Sequence, residues 1–222
     1  MSENNFPEAV LWDMDGTLID SEPYWVASEH RLAQDYGTTW SEQDAHELIG
    51  KSLYDSSELL RQKFGITDLS VVQVIERLTS EVVSDLSQRL VWRPGALELL
   101  TDLKKAGIKT ALVTMSMRRM AQSVVDQIPF HAFDAVVAGD EVVMGKPHPE
   151  PYLKAAAMLG VDPTKCIALE DSSTGLASAE AAGTLAVGIP NLIPLVPTAN
   201  GVVIKSLTEL TAANIGELRN RG

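Results

Sequence analysis

The sequence is poor in cysteine and contains no long apolar run. Cys166 is the single cysteine among 222 residues, which excludes an internal disulfide framework and fits a reducing compartment. Its neighbours 167–169 are apolar, so we expect Cys166 to pack in a core and to carry no redox chemistry. Because no apolar run approaches the roughly 18 residues that a membrane span requires, we expect no membrane partner.

Positive charge is also scarce. The chain has 18 Lys and Arg against 30 Asp and Glu, a formal net charge of −12. Such a surface repels nucleic acid, whose binding depends on neutralising phosphates. A small anionic ligand stays possible, since a metal ion can reverse the local sign of charge. The polar, acidic residues 1–8 do not form a secretory signal, so we expect a cytoplasmic protein, either a monomer or a weak dimer.

What the sequence does contain is a series of short apolar runs that predict β-strands. Apolar residues at successive positions are typical of parallel strands that helices cover on both faces. Strands and helices alternate along the chain, which predicts a doubly wound α/β domain with a mainly parallel sheet. The predicted strands are Ala9–Trp12, Lys109–Thr114, Ala135–Ala138, Cys166–Leu169, Thr184–Gly188 and Gly201–Ile204.

Helices are predicted between these strands, where periodic stretches end at a glycine. They are Gly95–Ala106, Pro149–Leu159 and Thr174–Ala182. The spacing of Ser206 and Glu209 is that of a capping box, which predicts the start of a last helix.

One segment interrupts the alternation, because only amphipathic helical patterns occur between Glu22 and Leu90. We therefore expect two domains, an α/β core of residues 1–19 and 91–222 and a helical domain of residues 20–90. Their two connections are short, as in the hinge of a lid. The predicted helices of this segment are Pro23–Tyr36, Ser41–Ile49, Leu53–Phe64 and Ser70–Leu86.

Two carboxylates follow the first predicted strand directly. Asp13 and Asp15 have the same orientation in an extended chain, and Gly16 permits a sharp turn after them. Ligands bind at the carboxyl ends of strands in parallel α/β sheets, and two carboxylates there repel each other without a cation or a proton. Solvated acids in an ordinary turn are the alternative.

Two other segments suit an anion. Thr114 ends the second predicted strand, and Met115 and Ser116 lead into a helix start whose free amides can bind a phosphate. Lys146 stands between Gly145 and Pro147, where an ammonium can be aimed at a phosphate as a point charge. Taken alone, a helix cap explains Thr114 better than an anion site does, and a solvated loop lysine explains Lys146 equally well.

Glu170 and Asp171 follow the fourth predicted strand. Hard oxygen ligands at a strand end suit Mg²⁺, although an N-cap aspartate is the alternative. Together, four strand ends carry an Asp pair, a Thr, a Lys and an acid pair at one edge of the sheet. That combination favours a phosphate site with a metal ion.

These four elements resemble, in order and spacing, the motifs of the haloacid dehalogenase superfamily of phosphotransferases. The resemblance extends from Ala9 to about Gly188, and the helical segment matches the family's small α-helical cap. The chain is most similar to the subgroup of sugar-phosphate phosphatases and β-phosphoglucomutases. The resemblance implies a Rossmann-like core and a Mg²⁺-dependent phosphatase. Its substrate would be a small phosphorylated metabolite: a sugar or polyol phosphate, or phosphoglycolate.

The resemblance also implies roles for these residues. Asp13 would be the nucleophile that forms an aspartyl phosphate. Asp15 would protonate the leaving group and later deprotonate a water molecule. Thr114, with backbone amides near Met115 and Ser116, would hold the phosphoryl oxygens.

The implied metal site lies beside the nucleophile. Lys146 would neutralise charge on the nucleophile and on the phosphate. The implied Mg²⁺ ligands are Asp13, the main-chain carbonyl of Asp15, Asp171 and Glu170.

A phosphomutase of the β-phosphoglucomutase type is the first alternative. Such mutases carry a His where this chain has Trp25, and an Arg three residues past a cap glycine, where Leu53 stands after Gly50. Lys51 could replace that Arg in part. Substrate identity would depend on cap residues, of which Tyr24, Trp25, Lys51 and Ser52 are candidates.

A non-enzymatic receiver-like phospho-switch is the second alternative. Receivers also place Asp, Thr, Lys and acids around Mg²⁺. They carry no helical insert and no acid at the position of Asp15, and they need only about half this length. These differences favour the phosphatase.

Overall fold

The computed structural model describes residues 6–48 and 50–220. These residues separate into two units. An α/β unit contains the residues up to Asp20 together with those from Val91 onward, and a helical unit contains Ser21–Leu90. None of the helices among the described residues is both long and apolar enough to cross a membrane.

Six parallel strands form one sheet in the α/β unit, which confirms the predicted fold class. The strands are β1 Ala9–Trp12, β2 Lys109–Val113, β3 Ala135–Val137, β4 Cys166–Glu170, β5 Leu185–Gly188 and β6 Val202–Val203. Their spatial order is β3-β2-β1-β4-β5-β6. The chain crosses over to opposite sides of β1, so β1 lies in the middle of the sheet and its carboxyl end is a switch point for ligands.

The helices lie close to their predicted positions. In chain order they are α1 Glu22–Asp35, α2 Glu42–His46, α3 Leu53–Phe64, α4 Val71–Gln88, α5 Ala96–Lys105, α6 Arg118–Val125, α7 Glu150–Leu159 and α8 Ser173–Ala181. Helix α2 is shorter than predicted, and Ile49, the predicted last residue, lies outside the described residues.

The sheet is buried on both faces. One core cluster joins β1, β2 and β4 to α7 and α8, and its members include Ala9, Leu11, Ala111, Val113, Ala155, Ala168, Leu176 and Ala179. Val10 and Trp12 alternate with Ala9 and Leu11 and are also fully buried. Cys166 is buried in the same cluster, as predicted.

Strand register brings the functional strand ends to the same level. Trp12 is paired with Leu112 on one side and with Leu169 on the other. Asp13, the next residue, is therefore level with the last residues of β2 and β4. The register explains why side chains from distant parts of the sequence meet at one edge.

The prediction of a capping box that opens a last helix is wrong. Leu207–Glu209 is only one turn of 3₁₀-helix. The Ser206 side chain accepts from the Thr208 amide, and the Lys205 amide donates to Glu209. A 3₁₀ turn aligns residues three apart, so that Leu207 and Leu210 can both be buried.

The helical unit has its own hydrophobic core. Trp40 and Phe64 meet edge to face with ring centroids 5.1 Å apart. Ser70 begins α4 with a complete capping box, which satisfies free amides of the first turn. Arg31 of α1 forms ion pairs with Glu81 at 2.5 Å and with Asp85 at 2.8 Å on α4.

Candidate active site

Asp13 occupies the centre of the site. It follows β1 directly, and its amide donates to the carbonyl oxygen of Leu169 at 3.0 Å. The residue is only 6% exposed. This backbone hydrogen bond aligns Asp13 with Glu170, the residue of β4 that follows Leu169.

Lys146 binds two of the buried carboxylates. Its ammonium lies 2.7 Å from Asp13 Oδ1 and 2.6 Å from Glu170 Oε1. The ammonium also donates to the carbonyl oxygen of Val113 at 2.9 Å. Burial lowers the pKa of Lys146, but the charges of Asp13 and Glu170 raise it overall. The lysine therefore stays charged at neutral pH.

Three carboxylates converge beside this lysine. Oxygens of Asp13, Glu170 and Asp171 all lie within 4.8 Å of one another. Burial, followed by the charge of Glu170, raises the pKa of Asp13 to about 7. Burial, followed by the charges of Asp13 and Glu170, raises the pKa of Asp171 to about 9. Without a metal ion the cluster therefore retains protons, because one lysine does not offset three ionised carboxylates.

The residues present fit a divalent cation. Asp13 Oδ2 is buried and has no hydrogen-bond partner among the described residues. When all three carboxylates are ionised, they exceed the one ammonium by two negative charges. A hard divalent ion such as Mg²⁺ binds carboxylate oxygens. It would offset the excess charge and give Asp13 Oδ2 a partner.

Asp15 lies next to two hydroxyl groups. Its Oδ2 accepts from Thr114 Oγ1 at 3.1 Å and from Ser116 Oγ at 2.7 Å. The Ser116 amide in turn donates to Thr114 Oγ1 at 3.0 Å. These contacts fix the Asp15 carboxylate, so its side chain has a different environment from the carboxylate cluster.

Glycine is required at position 16 because the chain there lies very close to the side chain of Asp171. Its φ of +82° lies in the left-handed region, and a Cβ here would come within 1.9 Å of Asp171 Oδ2 and 3.1 Å of Asn191 Nδ2. Asn191 is held by Arg93, whose Nη1 donates to Asn191 Oδ1 at 2.7 Å. Arg93 and Asn191 are therefore neighbours of the site that sequence reasoning missed.

Tyr152 and Gly175 are two further residues that sequence reasoning missed. The Tyr152 hydroxyl donates to Glu170 Oε1 at 2.5 Å, and a Cβ on Gly175 would lie 1.9 Å from Glu170 Oε2. A signal for Tyr152 was present, since it is an aromatic residue in the first turn of the helix after Lys146. Gly175 gave no comparable signal.

The residues predicted to contact substrate lie in the helical unit. Tyr24 donates its hydroxyl to the carbonyl oxygen of Arg89 at 2.8 Å, and Trp25 packs against the core of that unit. Ser52 caps α3 by accepting from the Asp55 amide, and Lys51 is exposed. Their role in substrate binding stays a prediction.

The sequence that forms this sheet and site matches a known family of enzymes. Residues 7–183 match the haloacid dehalogenase-like hydrolase family, and the chain belongs to that family. Within it, the chain is a phosphoric monoester hydrolase, a phosphatase. The family and the enzyme class predicted from the sequence motifs are thus confirmed.

Relatives support this assignment over most of the chain. Hexitol phosphatase B of Escherichia coli O157:H7 is 32% identical over 213 residues, 93% of this chain and 96% of its own length. A phosphorylated carbohydrates phosphatase of Thermotoga maritima is 34% identical over 177 residues, 79% of this chain and 82% of its own. The crystal structure of a β-phosphoglucomutase from Clostridium difficile is similar with a TM-score of 0.79 and 27% identity, covering 97% of this chain and 98% of that one.

Proposed function

We propose that the chain is a Mg²⁺-dependent phosphatase of sugar or polyol phosphates that works through a phosphorylated Asp13. The observation that carries the proposal is the position of Asp13. One of its oxygens is held by Lys146 at 2.7 Å, and the other is buried without a partner among the described residues. The names of the relatives, a hexitol phosphatase and a phosphatase of phosphorylated carbohydrates, support this substrate class.

Asp13, Glu170 and Asp171 would hold the metal ion, with the main-chain carbonyl of Asp15. When bound, Mg²⁺ would neutralise phosphoryl oxygens and so let two anions approach. Lys146 does the same from the protein side, because its ammonium is fixed between Asp13 and Glu170.

The first step is transfer of the phosphoryl group to Asp13. A carboxylate oxygen of Asp13 attacks phosphorus, and the bond from phosphorus to the sugar oxygen breaks. Asp15 gives its proton to that leaving oxygen. Thr114 and Ser116 orient Asp15 through their hydroxyls, and backbone amides near Met115 and Ser116 would bind phosphoryl oxygens.

The second step is hydrolysis of the aspartyl phosphate. Asp15, now ionised, takes a proton from water, and the resulting oxygen attacks phosphorus. The bond from phosphorus to Asp13 breaks, which releases inorganic phosphate and restores the carboxylate. Asp15 ends protonated and ready for the next turnover.

In this proposal the helical unit is the cap of the enzyme and selects among substrates. Its candidate residues are Tyr24, Trp25, Lys51 and Ser52. Ser52 also caps α3, and Tyr24 is held by the backbone at residue 89. Both side chains therefore have defined positions.

A β-phosphoglucomutase-type phosphomutase is the second candidate. The likeness to the Clostridium difficile mutase favours it. Trp25 and Leu53 stand where mutases carry His and Arg, which favours hydrolysis. Incubation with β-glucose 1-phosphate and the bisphosphate should yield no glucose 6-phosphate. Efficient conversion would establish the mutase instead.

A panel of metabolites tests the proposed function. Release of inorganic phosphate from hexose, pentose and polyol phosphates and from phosphoglycolate is measured with Mg²⁺ and with a chelator. We expect Mg²⁺-dependent release that is highest for a sugar or polyol phosphate. Asp13→Asn should lower release at least about a thousandfold, since the nucleophile is lost. Asp126→Asn, at an exposed position, is the control, and wild-type-like release by Asp13→Asn would refute the mechanism.

A further inference from the structure

We propose that Tyr152 is a positioning residue of the metal site, which acts by fixing the carboxylate of Glu170. The inference depends on the proposed function, because it assumes that Glu170 helps to bind the divalent cation. It assigns a role to a residue outside the motifs that define the site.

The hydroxyl of Tyr152 makes a short hydrogen bond inside the protein. Tyr152 lies on α7 and is fully buried, as is Glu170. Its hydroxyl donates to Glu170 Oε1 at 2.5 Å, and the same oxygen receives the ammonium of Lys146 at 2.6 Å. Hydrogen bonds to a buried charged group are among the strongest in proteins. Two donors therefore hold one oxygen of Glu170.

The ring of Tyr152 also contacts the lysine. Lys146 Nζ lies 5.2 Å from the centroid of the ring, within the range of a cation–π interaction. One side chain thus contacts both charged partners of the ion pair. A phenylalanine would keep the ring and lose only the hydrogen bond.

The opposite side of Glu170 is enclosed by the start of α8. A Cβ on Gly175 would lie 1.9 Å from Glu170 Oε2 and 2.1 Å from Oε1, so one face of the carboxylate packs directly against the glycine. Ser172 Oγ donates to the same Oε2 at a longer distance of 3.3 Å. Because Oε1 already has two close donors, Oε2 is the oxygen that remains for a cation.

These contacts predict what the hydroxyl contributes. With Tyr152 in place, Glu170 is held in one orientation before the cation arrives. Without the hydroxyl, Lys146 is the one donor among residues 6–48 and 50–220 that still holds Oε1, and cation binding must then order the carboxylate. Loss of a partner that orients a metal ligand costs about 10- to 100-fold in affinity.

Tyr152→Phe is the experiment, and binding of Mg²⁺ and Mn²⁺ alone is measured by calorimetry, without substrate. We expect affinity to fall about 10- to 100-fold. Tyr36→Phe is the matched control, since it removes another hydroxyl that donates to a carboxylate, Asp68, at 2.8 Å in the helical unit. Thermal unfolding of both variants checks that they are folded.

A second variant separates positioning from a general structural effect. In a Glu170→Gln background, Tyr152→Phe should change metal affinity much less than it does in the wild type, because its target is altered. An unchanged effect in that background would overturn the proposal. So would equal affinity of Tyr152→Phe and wild type, or an equal loss in Tyr36→Phe. If the wild type binds neither ion, the metal site of the proposed function fails together with this inference.

Discussion

At the scale of single residues, the site combines groups that would repel one another without a cation. Asp13, Glu170 and Asp171 are close together and largely withdrawn from water. Lys146 offsets part of their charge and positions two of them. Proteins maintain such an arrangement at functional sites, where charge is matched by substrate or metal.

Gly16→Ala tests how closely the first motif contacts Asp171. An alanine at a φ of +82° costs about 1–2 kcal/mol of unfolding free energy. Its Cβ would also displace Asp171, so activity should fall on the order of 100-fold. Gly107→Ala is the control, because Gly107 has a φ of +71° and no atom near the added Cβ. Both variants should lose stability, Gly16→Ala by more because its Cβ also meets Asp171, and only Gly16→Ala should lose activity; equal activities would contradict the assignment.

The site residues differ in how far the sequence could predict them. Asp13, Lys146 and Asp171 were predicted to meet because each follows a strand or precedes a helix at the same edge of a parallel sheet. Tyr152 and Gly175 were missed because their importance depends on contacts with Glu170 in three dimensions. Asn191 was missed because it lies in a loop without regular periodicity. Pattern indicates which strand end a residue occupies, and packing determines what it touches.

At the scale of elements, strands buried on both faces were the most predictable. Leu11 and Trp12 point to opposite faces of β1, and both are fully buried, so an unbroken apolar run marked the strand correctly. Helix ends with a glycine in the left-handed conformation were equally clear, as at Gly160 after α7. The Ser206 motif misled because local capping cannot extend a helix when burial of Leu207 and Leu210 favours a 3₁₀ turn.

Glu29→Gln tests packing between elements of the helical unit. Glu29 is 7% exposed and accepts from Trp40 Nε1 at 2.9 Å. Burial raises its pKa from 4.5 to about 7, although the Trp40 bond acts in the opposite direction. A raised carboxyl pKa means that the unfolded state releases its proton first as the pH increases. Stability contributed by the protonated group should therefore be full below about pH 4.5 and lost by about pH 7.

Denaturant unfolding across that pH range measures the effect. The unfolding free energy of Glu29→Gln relative to wild type should rise with pH by at most about 3 kcal/mol. Above the folded-state pKa the difference should be constant. A difference that does not depend on pH would show that burial of the ionised form carries no penalty.

At the scale of the whole molecule, the net charge is negative, whereas the proposed site must bind an anionic substrate. A net charge of −12 gives the chain a surface that repels other anions. An anionic substrate must then meet local positive charge, which Lys146 and the proposed metal ion supply. A metal ion that binds only the folded chain stabilises it, so we expect the stability of the fold to depend on metal binding.

Asp171→Asn tests this coupling. In a chelator at neutral pH the variant and the wild type should be about equally stable, because a pKa of about 9 already keeps Asp171 protonated without the metal. With Mg²⁺ at about 100 times its Kd, the wild type should gain about 2.7 kcal/mol and the variant much less. Thermal unfolding at neutral pH measures both. An identical response to Mg²⁺ in the two proteins would remove Asp171 from the metal site.

Direct identification of the phosphorylated residue tests the central claim most closely. Asp15→Asn should hydrolyse its phosphoenzyme about 10²- to 10⁴-fold more slowly, because the base is lost. The variant is incubated with acetyl phosphate and Mg²⁺, reduced with borohydride and digested for tandem mass spectrometry. Homoserine at position 13, formed only when Mg²⁺ is present, is the predicted result. Homoserine at another aspartate, or none in a protein whose wild type turns over, would contradict the account.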